Sequence, residues 1–258
     1  MVRCISNFSS QVKARRTTIL ILLNVVLFFG VAADQTAAQK RFSRTYPATK
    51  NVRLQLVNRS GTIIVEGWDR PEINISAYLE APSATLAPQS LSGAIVMDLV
   101  RENQGRNIGN VNFTIRVPRS CVVDIETRIG NLSVTNVSGG LVRAVVTTEG
   151  DITLTNIISA AVDAQNGIGD IFFDGAMLGG GQYRFTSMRG NINLRIPLES
   201  SFRLVATAPS TRNIDLGPFR GSNMRFVSDG QRVAGKAGEG ASTLTVTNHR
   251  GSIAFLSR

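Results

Sequence analysis

From Val52 onward the chain alternates apolar and polar residues with a period of two. Val52-Arg53-Leu54-Gln55-Leu56, Thr62-Ile63-Ile64-Val65, Ile73-Asn74-Ile75-Ser76-Ala77-Tyr78 and Val111-Asn112-Phe113-Thr114-Ile115-Arg116-Val117 all follow this pattern. Each run is bounded by Gly, Pro, Asn or Ser, as strands are. No stretch holds a sustained helical period, so the fold class read from the pattern is all-β. Residues 81–91, with Pro82 and Pro88, and residues 101–110, with Gly105 and Gly109, read as loops. Residues 229–242, rich in Gly, Ala and charge, read as a mobile loop.

A phrase recurs within this alternation: glycine, Asn or Asp, an aliphatic residue, a variable residue, a second apolar residue. It appears as Gly130-Asn131-Leu132-Ser133-Val134, Gly150-Asp151-Ile152-Thr153-Leu154, Gly169-Asp170-Ile171-Phe172-Phe173 and Gly190-Asn191-Ile192-Asn193-Leu194, at steps of 20, 19 and 21 residues. An earlier copy starts at Gly61 and a later one at Gly251, while Arg212 stands where another copy would have glycine. A fixed period of this size marks one structural unit stacked on itself. The predicted architecture is therefore a single-stranded β-solenoid (β-helix) with coils of about twenty residues. Each coil has one strand before the glycine and one after it, and like positions stack in parallel register. Glycine supplies the positive-φ corner, the Asn or Asp holds the turn through its local backbone, and the aliphatic positions point inward. Thr243-Leu244-Thr245-Val246-Thr247 and Arg250-Gly251-Ser252-Ile253 read as the closing coil.

Ahead of this region, Arg3, Lys13, Arg15 and Arg16 precede an apolar stretch over residues 17–33. The small residues Val31-Ala32-Ala33 close it, and Thr36-Ala37-Ala38 come a little later. This is the layout of a secretory signal peptide, with an uncleaved N-terminal anchor as the alternative. The expected organisation is residues 1–38 as signal peptide or anchor, 39–120 as a longer-stranded N-terminal β cap, and 121–258 as the repeat solenoid continuous with the cap. The chain is expected to be exported and to be periplasmic, cell-surface or secreted.

The phrases, with the strand-then-proline at Val117-Pro118 and the closing Thr245-Val246-Thr247-Asn248-His249-Arg250-Gly251-Ser252-Ile253, resemble the DUF4097 family. These are adhesin-like, toastrack-type β-solenoid domains of bacterial envelope proteins. The resemblance runs from about Val52 to Phe255. It implies a β-helix at or near the cell envelope and brings no catalytic residues with it.

Composition narrows the chemistry. Lys+Arg number 28 against 18 Asp+Glu, and the surplus is almost all arginine, since Lys13, Lys40, Lys50 and Lys236 are the only lysines. Arginine's planar fork suits carboxylates and phosphates. Arg143, Arg184 and Arg203 lie in pre-glycine strands, and Arg189 and Arg250 immediately precede repeat glycines. These five form the candidate surface for an anionic partner: an envelope protein, a wall polymer or an anionic lipid surface. Outward charges that keep strand edges soluble are the alternative reading of the same residues. Asp151 and Asp170 could stack into a ladder with Asn131 and Asn191, but the glycine pattern of calcium-binding β-rolls is missing. His249 is the sole histidine, and the two cysteines, Cys4 and Cys121, have no metal or disulfide spacing. Cys121 reads as a buried thiol. No catalytic motif, cofactor, metal or nucleic-acid partner is expected. The leading function is a non-enzymatic, adhesin-like interaction module. The alternatives are a carbohydrate-active β-helix enzyme and a regulator of an envelope-stress system.

Overall fold

The computed structural model describes residues 40–221 and 223–257. The segment read as an export signal, and Cys4 within it, lie outside the described residues. The described chain opens with β1 (Lys40–Pro47), β2 (Arg53–Ser60), β3 (Ile63–Trp68), β4 (Glu72–Leu79), β5 (Gln89–Leu91) and β6 (Ala94–Asp98). A one-turn helix, α1 (Leu99–Glu102), precedes β7 (Val111–Pro118). The repeat supplies β8 (Val122–Ile129), β9 (Leu132–Thr135), β10 (Leu141–Glu149), β11 (Ile152–Ile157), β12 (Ala161–Ile168), β13 (Ile171–Gly175), β14 (Gln182–Arg189) and β15 (Ile192–Arg195). Then come β16 (Phe202–Thr207), β17 (Ile214–Asp215), β18 (Asn223–Val227), β19 (Arg232–Ala237), β20 (Ser242–Asn248) and β21 (Ile253–Leu256).

The chain is an all-β solenoid. Each coil gives its pre-glycine strand to one sheet and its post-glycine strand to the other. Sheet I runs β1-β4-β7-β3-β9-β11-β13-β15-β21-β17 and sheet II runs β18-β19-β16-β20-β14-β12-β10-β8-β2-β6-β5. Coil strands pair in parallel with like positions side by side, as in Ile152 between Leu132 and Ile171. The inward rows of both sheets form one core. Leu132, Ile152, Ile171, Ile192 and Ile253 line one side, and Val123, Val142, Val162, Tyr183 and Leu244 the other. Burying an aliphatic side chain of this kind stabilises by about 1.5–3 kcal/mol, so the ladder is a substantial source of stability. At the last coil Phe202, Phe219 and Phe255 close the core, with Phe202 and Phe219 edge-to-face at 5.1 Å.

Spatial order departs from chain order at both ends. The β20–β21 coil does not close the array; it lies between β14–β15 and β16–β17. Likewise β2–β3, which begins the coils in sequence, sits between β6–β7 and β8–β9. The Gly61 phrase is thus a coil of the array itself. Strands outside the repeat finish both ends, with antiparallel pairs β1–β4 and β4–β7 at one and β16–β19 and β18–β19 at the other. These cover coil edges that would otherwise be open to pairing. Residues 229–242, read as a loop, contain the regular strand β19.

The glycines of the phrase stack at one corner. A Cβ on Gly130 would lie 2.3 Å from the Gly61 carbonyl oxygen, on Gly150 2.1 Å from that of Gly130, and on Gly169 2.2 Å from that of Gly150. On Gly190 it would lie 2.0 Å from that of Gly169, and on Gly251 it would collide with that of Gly190. All six, Gly61 included, have φ between 117° and 151°. Two requirements thus coincide, positive φ and close backbone approach, and only glycine meets both. The Asn and Asp side chains bond across coils rather than within their own turn. The Asp151 N–H donates to Asn131 Oδ1 at 2.9 Å, Asp170 N–H to Asp151 Oδ1 at 2.8 Å, and Asn191 N–H to Asp170 Oδ1 at 2.7 Å. Ser252 N–H donates to Asn191 Oδ1 at 3.1 Å. Each side chain satisfies a backbone donor of the next coil that would otherwise lack a partner. From inside, the buried Asn166 and Asn248 amides donate to the Gly150 and Gly190 carbonyls at 2.8 Å. Arg212, with φ 56°, stands where the ladder ends, and there the Thr211 hydroxyl donates to the Gly251 carbonyl at 2.6 Å. A side chain thus replaces the backbone approach that glycine would allow.

Gly169→Ala should lower stability by about 3–5 kcal/mol through strain and overpacking. Gly140→Ala, where nothing lies within 4 Å of the added carbon, should change it by less than about 0.5 kcal/mol. Urea denaturation of the two variants checks the difference.

Candidate interaction surface

The outward side chains of sheet II fall into rows that cross the strands. One row reads Arg225, Ala234, Val205, Thr245, Arg184, Asp163, Arg143, Asp124 and Gln55, from β18 to β2. The neighbouring row reads Asn223, Lys236, Arg203, Thr243, Gln182, Ala161 and Leu141. Period-two alternation places these residues outside because the residues between them form the core.

Arg143, Arg184 and Arg203 therefore share one face, but their surroundings differ. Arg143 Nη1 donates to Asp124 at 3.0 Å and Nη2 to Glu126 at 3.3 Å. Partial burial works against the Arg143 charge, but the hydrogen bonds and charges of Asp124 and then Glu126 outweigh it. The guanidinium pKa consequently lies above the ordinary arginine value. Arg143 is neutralised within the protein, and both carboxylates are engaged by its guanidinium. Arg184 stands beside Asp163 in register, whose carboxylate accepts from Gln165 Nε2 at 3.0 Å. Arg184 and Arg203 are exposed and form no ion pair among the described residues. Arg189 and Arg250 lie on the corner beside the glycine ladder, where their carbonyls accept from Gly169 and Gly190 at 2.9 and 3.0 Å. They belong to a separate edge that also exposes Ile129, Ile168 and Met188.

Three cations of the same face escaped the sequence reading: Arg225 on β18, and Arg232 and Lys236 on β19. All are exposed and have no ion pair among the described residues. Their signal was the alternation Arg232-Val233-Ala234-Gly235-Lys236-Ala237, hidden by its small residues. Gly235 is small because a Cβ there would come 2.0 Å from the Asn223 carbonyl oxygen.

A shallow groove of about 390 Å³ crosses the same face, bordered by Leu141, Ala161, Gln182, Arg184, Thr243 and Thr245. The loop beside it, with Gly179-Gly180-Gly181, is pinned by Tyr183. The phenol donates to the Ser159 carbonyl at 2.9 Å and accepts from the Leu178 N–H at 2.7 Å. Burial pushes the Tyr183 pKa up, opposed by that N–H. No group of side chains suited to hold a metal occurs among the described residues. No described helix is long and apolar enough to cross a membrane.

No protein-family model matches the chain, and no curated protein matches it. Solved structures do. A putative cell adhesion protein from Clostridium sporogenes is 10% identical, with a TM-score of 0.49 over 85% of this chain and 100% of that one. A putative adhesin from Bacteroides fragilis is 11% identical, with a TM-score of 0.36 over 84% and 97%. A putative adhesin from Parabacteroides distasonis is 12% identical, with a TM-score of 0.24 over 85% and 98%.

Cys121 is fully buried at the start of β8, and burial pushes its thiol pKa up to about 12, partly offset by a hydrogen bond from the Leu54 backbone. At pH 8 its thiolate is scarcely populated while the chain is folded. In a Cys4→Ser chain, Ellman's reagent should leave Cys121 unlabelled at pH 8 and label it fully in denaturing urea. Fast labelling of the folded chain would contradict the burial.

Proposed function

We propose that the protein is an exported, non-enzymatic β-solenoid that acts as an adhesin-like interaction module at the bacterial cell envelope. The observation that carries this reading is the division of labour along each coil. The glycine, the Asn or Asp and the inward aliphatic residues are all engaged in joining coil to coil. What remains is two broad, rigid faces of outward side chains, and sheet II carries a group of exposed cations that form no ion pair among the described residues. Such a scaffold suits recognition over an extended surface. The basic, signal-like start of the chain supports export, and the DUF4097 resemblance supports the envelope. An envelope protein, a wall polymer or an anionic lipid surface would each meet the cations of sheet II.

Two measurements test the reading. Residues 1–38 fused to a reporter that is active only outside the cytoplasm should give activity. Fluorescently labelled protein should bind isolated bacterial envelopes saturably, with affinity that falls as salt rises. Binding that never saturates, or a silent reporter, would count against the proposal.

A further inference from the structure

We infer that the β14–β18 end of sheet II is a binding site for an acidic polysaccharide carrying carboxylate groups, lying along the solenoid axis across the strands. This rests on the interaction-module reading and names its ligand. The first support is the register. Arg203 and Lys236 are direct cross-strand partners on the outward face, an arrangement in which like charges repel and destabilise the sheet. Arg225 lies diagonally across from Lys236 on β18, Arg232 lies four residues along β19 on the same face, and Arg184 stands two strands from Arg203, beyond Thr245. All five are exposed, and none forms an ion pair among the described residues. Elsewhere on the sheets some cations are answered by acids, Arg143 by Asp124 and Glu126 and Arg116 by Glu66, and others that form no ion pair among the described residues, such as Arg44 and Arg53, stand opposite no other cation. Among the described antiparallel strand registers, Arg203–Lys236 is the one pair that sets a cation directly opposite a cation. The acids at this end are Asp163, bonded to Gln165, and Glu199, Asp229 and Glu239, all outside the strands except Asp163.

The second support is the floor between the cations. Thr243, Thr245, Thr247, Thr186, Thr207 and Gln182 face outward there. They offer hydroxyl and amide partners to sugar hydroxyls. The groove over Leu141, Ala161, Gln182 and Thr243 runs into the cationic patch and adds short apolar side chains that suit the carbon face of a sugar ring. From β14 to β18 the patch crosses five strands, or about 19 Å at the usual strand spacing. That length takes several linked residues rather than one small anion. A membrane surface fits less well, because the outward apolar groups among the described cations are small, Val205, Val227 and Ala234. Phe226 alternates to the other side of β18.

The test titrates the purified full chain with a fluorescent hexamer of uronic acid at low salt. Saturable binding is expected, together with an affinity loss of at least tenfold in Arg203→Ser/Lys236→Ser. No loss is expected in Lys40→Ser/Arg44→Ser, which removes the same charge from β1. Thr243→Val, which keeps shape and removes a hydroxyl, should weaken binding several-fold, and it decides the matter if the double variant fails to fold. A neutral glucose hexamer should not bind. Inorganic polyphosphate and anionic vesicles should bind at least tenfold more weakly than the uronate. The assignment is overturned by absent binding, by equal loss in the two double variants, or by polyphosphate or vesicles matching the uronate. Envelope binding that persists without uronate binding would sink this assignment and leave the interaction module standing.

Discussion

The structure depends on one close approach, the passage of each coil's glycine over the carbonyl of the glycine before it. Hydrogen bonds between parallel strands would tolerate several side chains at the corner; the spacing of glycine on glycine tolerates none. Once that corner is set, the Asn or Asp beside it falls within reach of the next coil's N–H, and the buried asparagines reach the glycine carbonyls from inside. Core packing then follows, because the aliphatic residues two and four positions on are held in register above one another. The corner therefore supplies alignment, and the apolar ladder supplies most of the free energy.

What could be read in the sequence follows from this. The Gly-Asx-aliphatic phrase is local, so the coil, its period and its inward positions are legible in the sequence alone. The partners of the Asx side chains were not visible, since bonding within a turn and bonding to the next coil use the same residue types. The insertion of the β2–β3 and β20–β21 coils between others was hidden as well. A coil has two equivalent edges, and nothing in the spacing of its residues says which neighbour takes which. Strand β19 is hidden in the sequence because its small residues mimic a loop. Gly235 is short to let the Asn223 backbone approach, and its neighbours still alternate.

The candidate surface was half legible. Arg184 and Arg203 were picked out by their place in pre-glycine strands, and they do face outward on one sheet. Arg143 sits in the same row, yet Asp124 and Glu126 come beside it only through pairing of β8 with β10. The sequence shows which residues point out, while the register decides which charges meet. The same register joins Arg203 to Lys236, a pairing that only the return of β19 along β16 creates.

The placement of β20–β21 also bears on how the chain comes together. Residues 182–215 are made before residues 242–256, yet two of their coils are joined only by those later residues, which lie between them. A chain emerging from its N-terminal side can stack β8 to β15 in order as it appears. Beyond that point β16 and β17 must wait beside a vacant berth. Completion of this end is thus timed by the arrival of the intercalating coil, and the cationic face that spans β14 to β18 exists only after that arrival.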